Sequence, residues 1–119
     1  MLGIVPTLME LLGKKVPESL PGESLLPMIK GGALRDDHVY IEWHTPPNGQ
    51  NGRTVISPGG SKLALYDADN CLLFEPSNDP LEGENLYYGP ESKPRIRRLR
   101  KRIESWQKRV ADRQALPEA

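Results

Sequence analysis

The chain has 119 residues, of which 37% are hydrophobic and 27% charged, and its formal net charge at pH 7 is zero. This length suits one domain with a modest core. No apolar run reaches the roughly 20 residues that span a bilayer, and the N-terminus lacks the basic and apolar regions of a signal peptide. The sequence therefore predicts neither a membrane span nor a signal peptide, and it leaves the compartment open. Since Cys71 is the one cysteine, no disulfide can form within the chain.

The zero net charge hides two oppositely charged parts. Residues 1–92 carry 6 Lys or Arg against 13 Asp or Glu, a net charge of −7. Residues 93–119 carry 10 against 3, a net charge of +7. A basic segment of this kind predicts either an arm that binds nucleic-acid phosphates or a helix whose charges face water and the acidic remainder.

The first third of the chain predicts two short helices. Residues 5–13 form one, with Pro6 in the first turn and Gly13 as the stop, and residues 24–30 form another. Helices this short are not stable alone. Both are therefore expected to lean on neighbouring structure.

Four short strands follow, at residues 37–44, 53–57, 61–67 and 71–75. Alternation in the first places Val39, Ile41 and Trp43 on one side, and the even-numbered residues from His38 to His44 on the other. Tight turns join the later strands, which predicts an antiparallel meander. Its inner, helix-covered face is expected to comprise Val39, Ile41, Trp43, Val55, Leu63, Leu65, Leu72 and Phe74.

The last element is a long amphipathic helix over residues 94–113. Its apolar positions are spaced 3, 4, 3 and 4 residues apart: Ile96, Leu99, Ile103, Trp106 and Val110. This stripe covers about two heptads, too few for a coiled coil. The predicted fold class is α+β: a small four-stranded antiparallel sheet with the long C-terminal helix packed on it, preceded by short helical segments.

Three passages give the chain a family resemblance. They are Ile4-Val5-Pro6-Thr7-Leu8 through Gly13, followed by Gly22-Glu23-Ser24-Leu25-Leu26-Pro27 and Gly31; Arg53-Thr54-Val55 with Lys62-Leu63; and Leu72-Leu73-Phe74-Glu75 leading to Asn78-Asp79-Pro80-Leu81-Glu82 and Asn85-Leu86. A basic helix with a Trp closes the pattern. In this order the chain resembles the C-terminal part of a formylglycine-dependent sulfatase, in the alkaline-phosphatase-like superfamily.

The resemblance also implies what is missing. Sulfatases hydrolyse sulfate esters with a formylglycine made in a Cys/Ser-x-Pro-x-Arg motif, beside a calcium-type site of Asp and Asn ligands. Neither is expected here: Cys71 is followed by Leu72, Leu73 and Phe74, and the motif occurs nowhere in the sequence. We therefore predict no catalytic residue, no metal ligand and no cofactor in this chain, with calcium implied only for a complete enzyme. Gly3 stands where the family has an Asp, so the start of the chain is expected to be a truncation, a split gene or a fragment.

The expected role follows from this resemblance. Residues 1–34 would be the end of a catalytic domain and residues 35–119 the C-terminal subdomain, together a scaffold and a wall of the substrate pocket. The partner would be the missing catalytic domain or a second copy, and a sulfated small molecule or carbohydrate would bind only in the complete enzyme. The alternative is a stand-alone, non-enzymatic module that associates through exposed apolar faces.

Two residues are candidates for substrate contact. His44 begins the loop 45–52, and Arg53, at the loop's other end, suits a sulfate group or an anionic sugar; an ion pair with a carboxylate of the acidic part, residues 1–92, is the alternative for Arg53. His38 and His44 lie about 20 Å apart along the strand, too far to share a metal ion. In Asp79-Pro80-Leu81-Glu82 we expect a chain corner rather than a catalytic carboxylate pair.

The remaining features have plainer interpretations. The basic cluster around Arg95–Arg102 lacks aromatic platforms and shares its helix with the apolar stripe, so a solvated helix face is expected and a nucleic-acid or membrane partner is not. Cys71, inside a strand, is expected to be a small buried hydrophobe.

Overall fold

The computed structural model describes residues 2–44, 50–67 and 70–118. It divides into two compact units, Met1–Asp37 and His38–Ala119. Within the described residues, no helix combines the length and the apolar character that crossing a membrane requires.

The first unit contains the two short helices, α1 (Ile4–Leu11) and α2 (Leu26–Ile29). The end of α1 is closed by backbone bonds from Gly13 to the Glu10 carbonyl at 3.0 Å and from Lys14 to the Met9 carbonyl at 2.8 Å. Gly13 has a φ of +67°, the left-handed conformation this helix-stop motif needs. The Thr7 hydroxyl accepts a bond from the Leu25 N–H at 2.8 Å and thereby ties α1 to the segment before α2. The predicted helices are confirmed, each somewhat shorter than expected.

The second unit is a four-stranded antiparallel sheet in the order β1 (Val39–Trp43), β2 (Gly52–Ile56), β3 (Lys62–Tyr66) and β4 (Leu72–Phe74). The turn between β2 and β3 has the expected chemistry. The Gly60 N–H donates to the Ser57 carbonyl at 2.9 Å, and Gly60 itself has a φ of +91°, which suits the left-handed position of a three-residue hairpin loop. The predicted meander is confirmed.

Helix α3 (Lys93–Val110) follows a single 3-10 turn at Pro90–Ser92 and covers one face of the sheet. Its first-turn proline suits a helix start, because a proline lacks the N–H that would be unpaired there. The core lies between helix and sheet and contains buried side chains from both: Val55, Leu63, Leu65, Cys71, Leu73, Ile96, Leu99 and Ile103. The α+β architecture is therefore confirmed.

The predicted inner face is wrong for two strands. The register pairs Tyr40 with Val55, so the even-numbered residues of β1 face α3, while Val39, Ile41 and Trp43 are 53%, 46% and 62% exposed. In β4, Leu63 pairs with Leu73, so Leu73 replaces Leu72 and Phe74 on the helix side. The reason is that both faces of this sheet carry apolar residues, and alternation alone does not identify the face that receives the helix.

Trp106 of α3 contacts the covered side of β1. Its indole ring stacks on Tyr40, with ring centres 4.7 Å apart and planes 5° from parallel. Its Nε1 donates to Glu42 Oε1 at 2.9 Å. The helix therefore meets β1 through an aromatic pair and a hydrogen bond rather than through aliphatic side chains.

Candidate functional site

Arg53, a predicted substrate contact, lies on the helix side of β2, between Glu42 of β1 and Leu65 of β3. It is only 2% exposed. A guanidinium cannot lose its charge at ordinary pH, and an unpaired buried charge is strongly unfavourable. Arg53 therefore requires an anionic partner inside the protein.

That partner is Asp112, immediately beyond the C-terminal end of α3. Arg53 Nε lies 2.6 Å from Asp112 Oδ2, and Nη2 lies 3.0 Å from Oδ1, a bidentate ion pair. The backbone turns to make this contact at Ala111, whose φ is +56°, and the Asp112 N–H donates to the Gln107 carbonyl at 2.9 Å. The end of the helix is thus connected directly to the central part of the sheet.

Two glutamines complete the hydrogen bonding of the Asp112 carboxylate. Gln107 Nε2 donates to Asp112 Oδ2 at 2.9 Å and to the Gln114 carbonyl at 2.8 Å, and the Gln114 N–H donates to Asp112 Oδ1 at 3.1 Å. The hydrogen bond from Arg53, helped by Gln107 and Gln114, holds the pKa of Asp112 well below its usual range. The same bond raises the pKa of Arg53. The pair is therefore fully charged at neutral pH.

Arg53 also holds the base of the loop that joins β1 to β2. Its Nη1 donates to the Gly52 carbonyl at 2.9 Å and contacts the Trp43 carbonyl at 3.5 Å. On the other side of β2, Asn51 donates from its backbone N–H and its side-chain amide to the Asp67 carboxylate, both at 3.1 Å. The residues at both ends of the loop are therefore fixed.

His44, the second predicted substrate contact, directly follows Trp43 and is exposed. The loop residues 45–49, which belong to the same prediction, lie outside the described residues. The structure shows an ion pair for Arg53, as the alternative predicted, but its carboxylate, Asp112, belongs to the basic part of the chain and not to residues 1–92. A role in substrate contact stays a prediction for both His44 and Arg53.

The exit from β4 shows why its carboxylates are structural. Asp79 Oδ2 accepts the Glu84 N–H at 2.8 Å, and Glu82 pairs with Lys62 Nζ at 2.5 Å. Glu82 has a φ of +52°, where the chain bends sharply. The predicted corner is confirmed.

Sequence reasoning missed the structural role of Asn85. Its Oδ1 accepts the Leu73 N–H at 3.0 Å and the Tyr87 N–H at 3.1 Å, while its Nδ2 donates to the Cys71 carbonyl at 3.1 Å. This side chain satisfies backbone groups on the free edge of β4, as a neighbouring strand would. The roles of Asp112 and Gln107 were not predicted either. Gln107 lies four residues after Ile103, in line with the apolar stripe of the helix, and this position could have indicated that its side chain is buried.

Cys71 is buried in the core at 3% exposure, as predicted. Burial, together with a hydrogen bond involving Cys71, raises the pKa of the adjacent Tyr87 to about 12. Across residues 2–44, 50–67 and 70–118, no three His, Cys, Asp or Glu side chains are grouped so that they could hold a metal ion.

Comparison with known proteins shows which family this chain is similar to. A family described as N-sulphoglucosamine sulphohydrolase, C-terminal, matches residues 1–109. The delta 4,5-hexuronate-2-O-sulfatase of Bacteroides thetaiotaomicron is 32% identical over 98 residues, which cover 76% of this chain and 20% of that protein. An uncharacterised protein of Haemophilus influenzae is 29% identical over 92% of this chain and 62% of its own length. The chain thus spans less than two-thirds of either relative.

Solved structures extend the similarity to three dimensions. The structure of a 2-O GAG sulfatase superposes on 98% of this chain with a TM-score of 0.78 and 27% sequence identity. The matched part is 27% of that protein.

Proposed function

The chain belongs to the sulfatase family described as N-sulphoglucosamine sulphohydrolase, C-terminal, and we propose that it acts as the C-terminal subdomain of a sulfuric ester hydrolase. In this role it is a scaffold that forms one wall of a substrate pocket and carries no catalytic group of its own. The observation that supports this most strongly is the buried pair of Arg53 and Asp112. Arg53 is the arginine next to the candidate loop, and in this pair it stabilises the fold.

The scaffold role rests on what this pair connects. Arg53 binds the end of α3 through Asp112 and reaches the carbonyls of Trp43 and Gly52 at the two ends of the loop. Binding groups are held best when loops rise from rigid elements. The loop that begins at His44 has such a base, which supports its role as a pocket wall.

The absence of catalysis from this chain rests on its sequence. The Cys/Ser-x-Pro-x-Arg motif that the resemblance implies for the formylglycine does not occur in the 119 residues. The described residues also contain no group of three His, Cys, Asp or Glu side chains that could hold a metal ion, which supports this part of the proposal. The groups that cleave the ester would therefore be supplied from outside these residues.

A hybrid enzyme tests the proposal. The chain would replace the matching C-terminal part of the Bacteroides thetaiotaomicron sulfatase, and turnover of that enzyme's substrate would be measured. We expect the hybrid to retain activity and His44→Ala to raise KM with kcat unchanged, while Lys101→Ala on the exposed side of α3 changes neither. Turnover of an aryl sulfate by the purified 119-residue chain alone would refute the absence of catalysis.

A second candidate function is supported by the exposed face of β1, which points away from α3. β1 is an edge strand, and it presents Val39, Ile41 and Trp43 on its outward face. An exposed apolar face on an edge strand is suited to association. If the chain is an independent interaction module, it should form a defined dimer or a complex with a catalytic half, and Ile41→Ser should abolish that association. A monodisperse monomer that does not bind a catalytic half would argue against this candidate.

A further inference from the structure

A basic groove lies between the first half of α3 and the turn that joins β2 to β3. Its volume is about 330 Å³, within the range of small-molecule sites. The described residues that line it are His38, Ser57, Ser61, Arg95, Arg98, Leu99 and Arg102. It lies at the end of the sheet opposite the loop that begins at His44, and none of its residues belongs to the ion-pair network of Arg53.

Three arginines give the groove its charge. Arg95, Arg98 and Arg102 are spaced three and four residues apart, so they share one side of α3. Arg95 lies 3.0 Å from Glu75 Oε1, an oxygen that is buried without a hydrogen bond of good geometry. Among the residues that the structure describes, no carboxylate pairs with Arg98 or Arg102. The two exposed guanidinium groups at this groove thus have no carboxylate ion-pair partner in residues 2–44, 50–67 and 70–118.

The turn between β2 and β3 adds neutral hydroxyl groups to the lining. Ser57 and Ser61 flank the hairpin turn, where the Ser57 N–H donates to the Ser61 carbonyl at 2.9 Å. Both residues are partly exposed, and each hydroxyl can donate one hydrogen bond. Leu99, at 6% exposure, contributes an apolar part of the lining. The groove thus combines strong cationic donors, hydroxyl donors and an apolar surface.

We propose that this groove binds a small molecule carrying a sulfate or phosphate group. Arg98 and Arg102 bind the oxyanion, whose tetrahedral oxygens accept the paired N–H groups of a guanidinium. Ser57 and Ser61 donate to the remaining oxygens, and Leu99 contacts the body of the molecule. Nothing in this assignment depends on the proposed scaffold role, because the groove residues take no part in it.

The same helix offers a matched control. Arg97 and Lys101 are exposed and have the same spacing as Arg98 and Arg102, yet they lie outside the groove. Replacing either pair by glutamine removes the same charge from the same helix. A difference between the two double variants therefore reports on the site rather than on general electrostatic attraction.

The test is calorimetric titration of the full chain at low salt. The probes are sodium sulfate, sodium phosphate, glucose 6-sulfate and glucose 6-phosphate, with sodium acetate as the control anion. We expect saturable 1:1 binding of the sulfate and phosphate probes, with a Kd of about 1 mM or tighter, and no saturable binding of acetate. If the sugar esters bind more tightly than the inorganic anions, the ligand is an organic ester. If the esters and the inorganic anions bind with equal affinity, the ligand is the free oxyanion. Both results support the site.

The variants decide between the site and diffuse attraction. Arg98→Gln combined with Arg102→Gln should weaken binding at least about tenfold, since two charge-assisted bonds are lost. Arg97→Gln combined with Lys101→Gln should stay within about twofold. Equal weakening by the two double variants, or no saturation with any probe, would overturn the proposal. All four side chains are exposed, so the variants should fold, which circular dichroism would verify.

Discussion

Asp112→Ala should be among the most destabilising single substitutions outside the apolar core. The carboxylate accepts hydrogen bonds from Arg53 Nε, Arg53 Nη2, Gln107 Nε2 and the Gln114 N–H. Its removal leaves the Arg53 guanidinium, on a residue that is 2% exposed, without its anionic partner. Breaking a buried ion pair in this way costs about 3–5 kcal/mol, a large fraction of the roughly 5–15 kcal/mol that stabilises a typical domain.

Urea denaturation followed by tryptophan fluorescence measures this loss. With a slope of about 2 kcal/mol per molar urea, the midpoint should fall by about 2 M. The control is Glu104→Gln, which removes the carboxylate from the Arg100–Glu104 pair at 3.0 Å. Glu104 is 45% exposed, and an exposed i,i+4 pair contributes only about 0.3–0.5 kcal/mol. If both variants shift the midpoint equally, the reasoning about Arg53 is wrong.

The pH dependence of the free energy of unfolding provides a second test of the ion pair between Arg53 and Asp112. The folded state lowers the pKa of Asp112, so the stabilisation is complete above the unfolded-state pKa of about 3.9. It is lost as the pH falls through the folded-state pKa. Asp112→Asn cannot titrate at this position, so the stability difference between wild type and variant should be constant near neutrality and shrink below about pH 4. A difference that stays constant down to pH 2 would contradict the assignment.

Three further predictions concern other parts of the second unit. Asn85→Ala should cost about 1–3 kcal/mol in urea denaturation, because backbone groups on the edge of β4 lose their partner; an unchanged midpoint would count against that role. Gly60→Ala should cost about 1–2 kcal/mol, because its φ of +91° strains any residue with a Cβ, whereas Gly59→Ala, which meets only a side-chain oxygen at 3.9 Å, should be nearly neutral. Tyr87 should ionise near pH 12 in an absorbance titration, because burial raises its pKa, and Tyr87→Phe should remove that late step. Its raised pKa adds stability that is complete below pH 10 and lost as the pH rises through 12, so the variant should lose less stability across this interval.

The local elements were predictable because they depend on residues close together in the chain. The 3.6-residue period of Ile96, Leu99 and Ile103 determines a helix with one apolar side. Pro58-Gly59-Gly60 determines a tight turn, since only glycine adopts the left-handed conformation there at low cost. The corner at Asp79 was equally local, because its carboxylate bonds a backbone N–H only five residues ahead.

The side of the sheet that α3 covers was decided only by the tertiary structure. In β1 the alternation separated Tyr40 and Glu42 correctly from Ile41 and Trp43, but an alternating pattern is symmetric between the two faces of a sheet. In the folded protein Trp106 of α3 contacts Tyr40 and Glu42, and these contacts identify the covered face. Because an exposed apolar strand face and a covered one can have the same composition, no inspection of β1 alone could have made the choice.

The role of Arg53 at the candidate site also could not be predicted from the sequence alone. An arginine beside a loop has one chemistry, the binding of an anion, and the sequence by itself determined that much. Whether the anion is a substrate group or a carboxylate of the protein depended on Asp112, which is 59 residues further along the chain. The groove likewise gathers Ser57, Arg98 and Arg102 from separate elements. Local patterns follow from backbone geometry within a few residues, but the pairing of distant charged groups depends on strand register and on where the helix ends against the sheet.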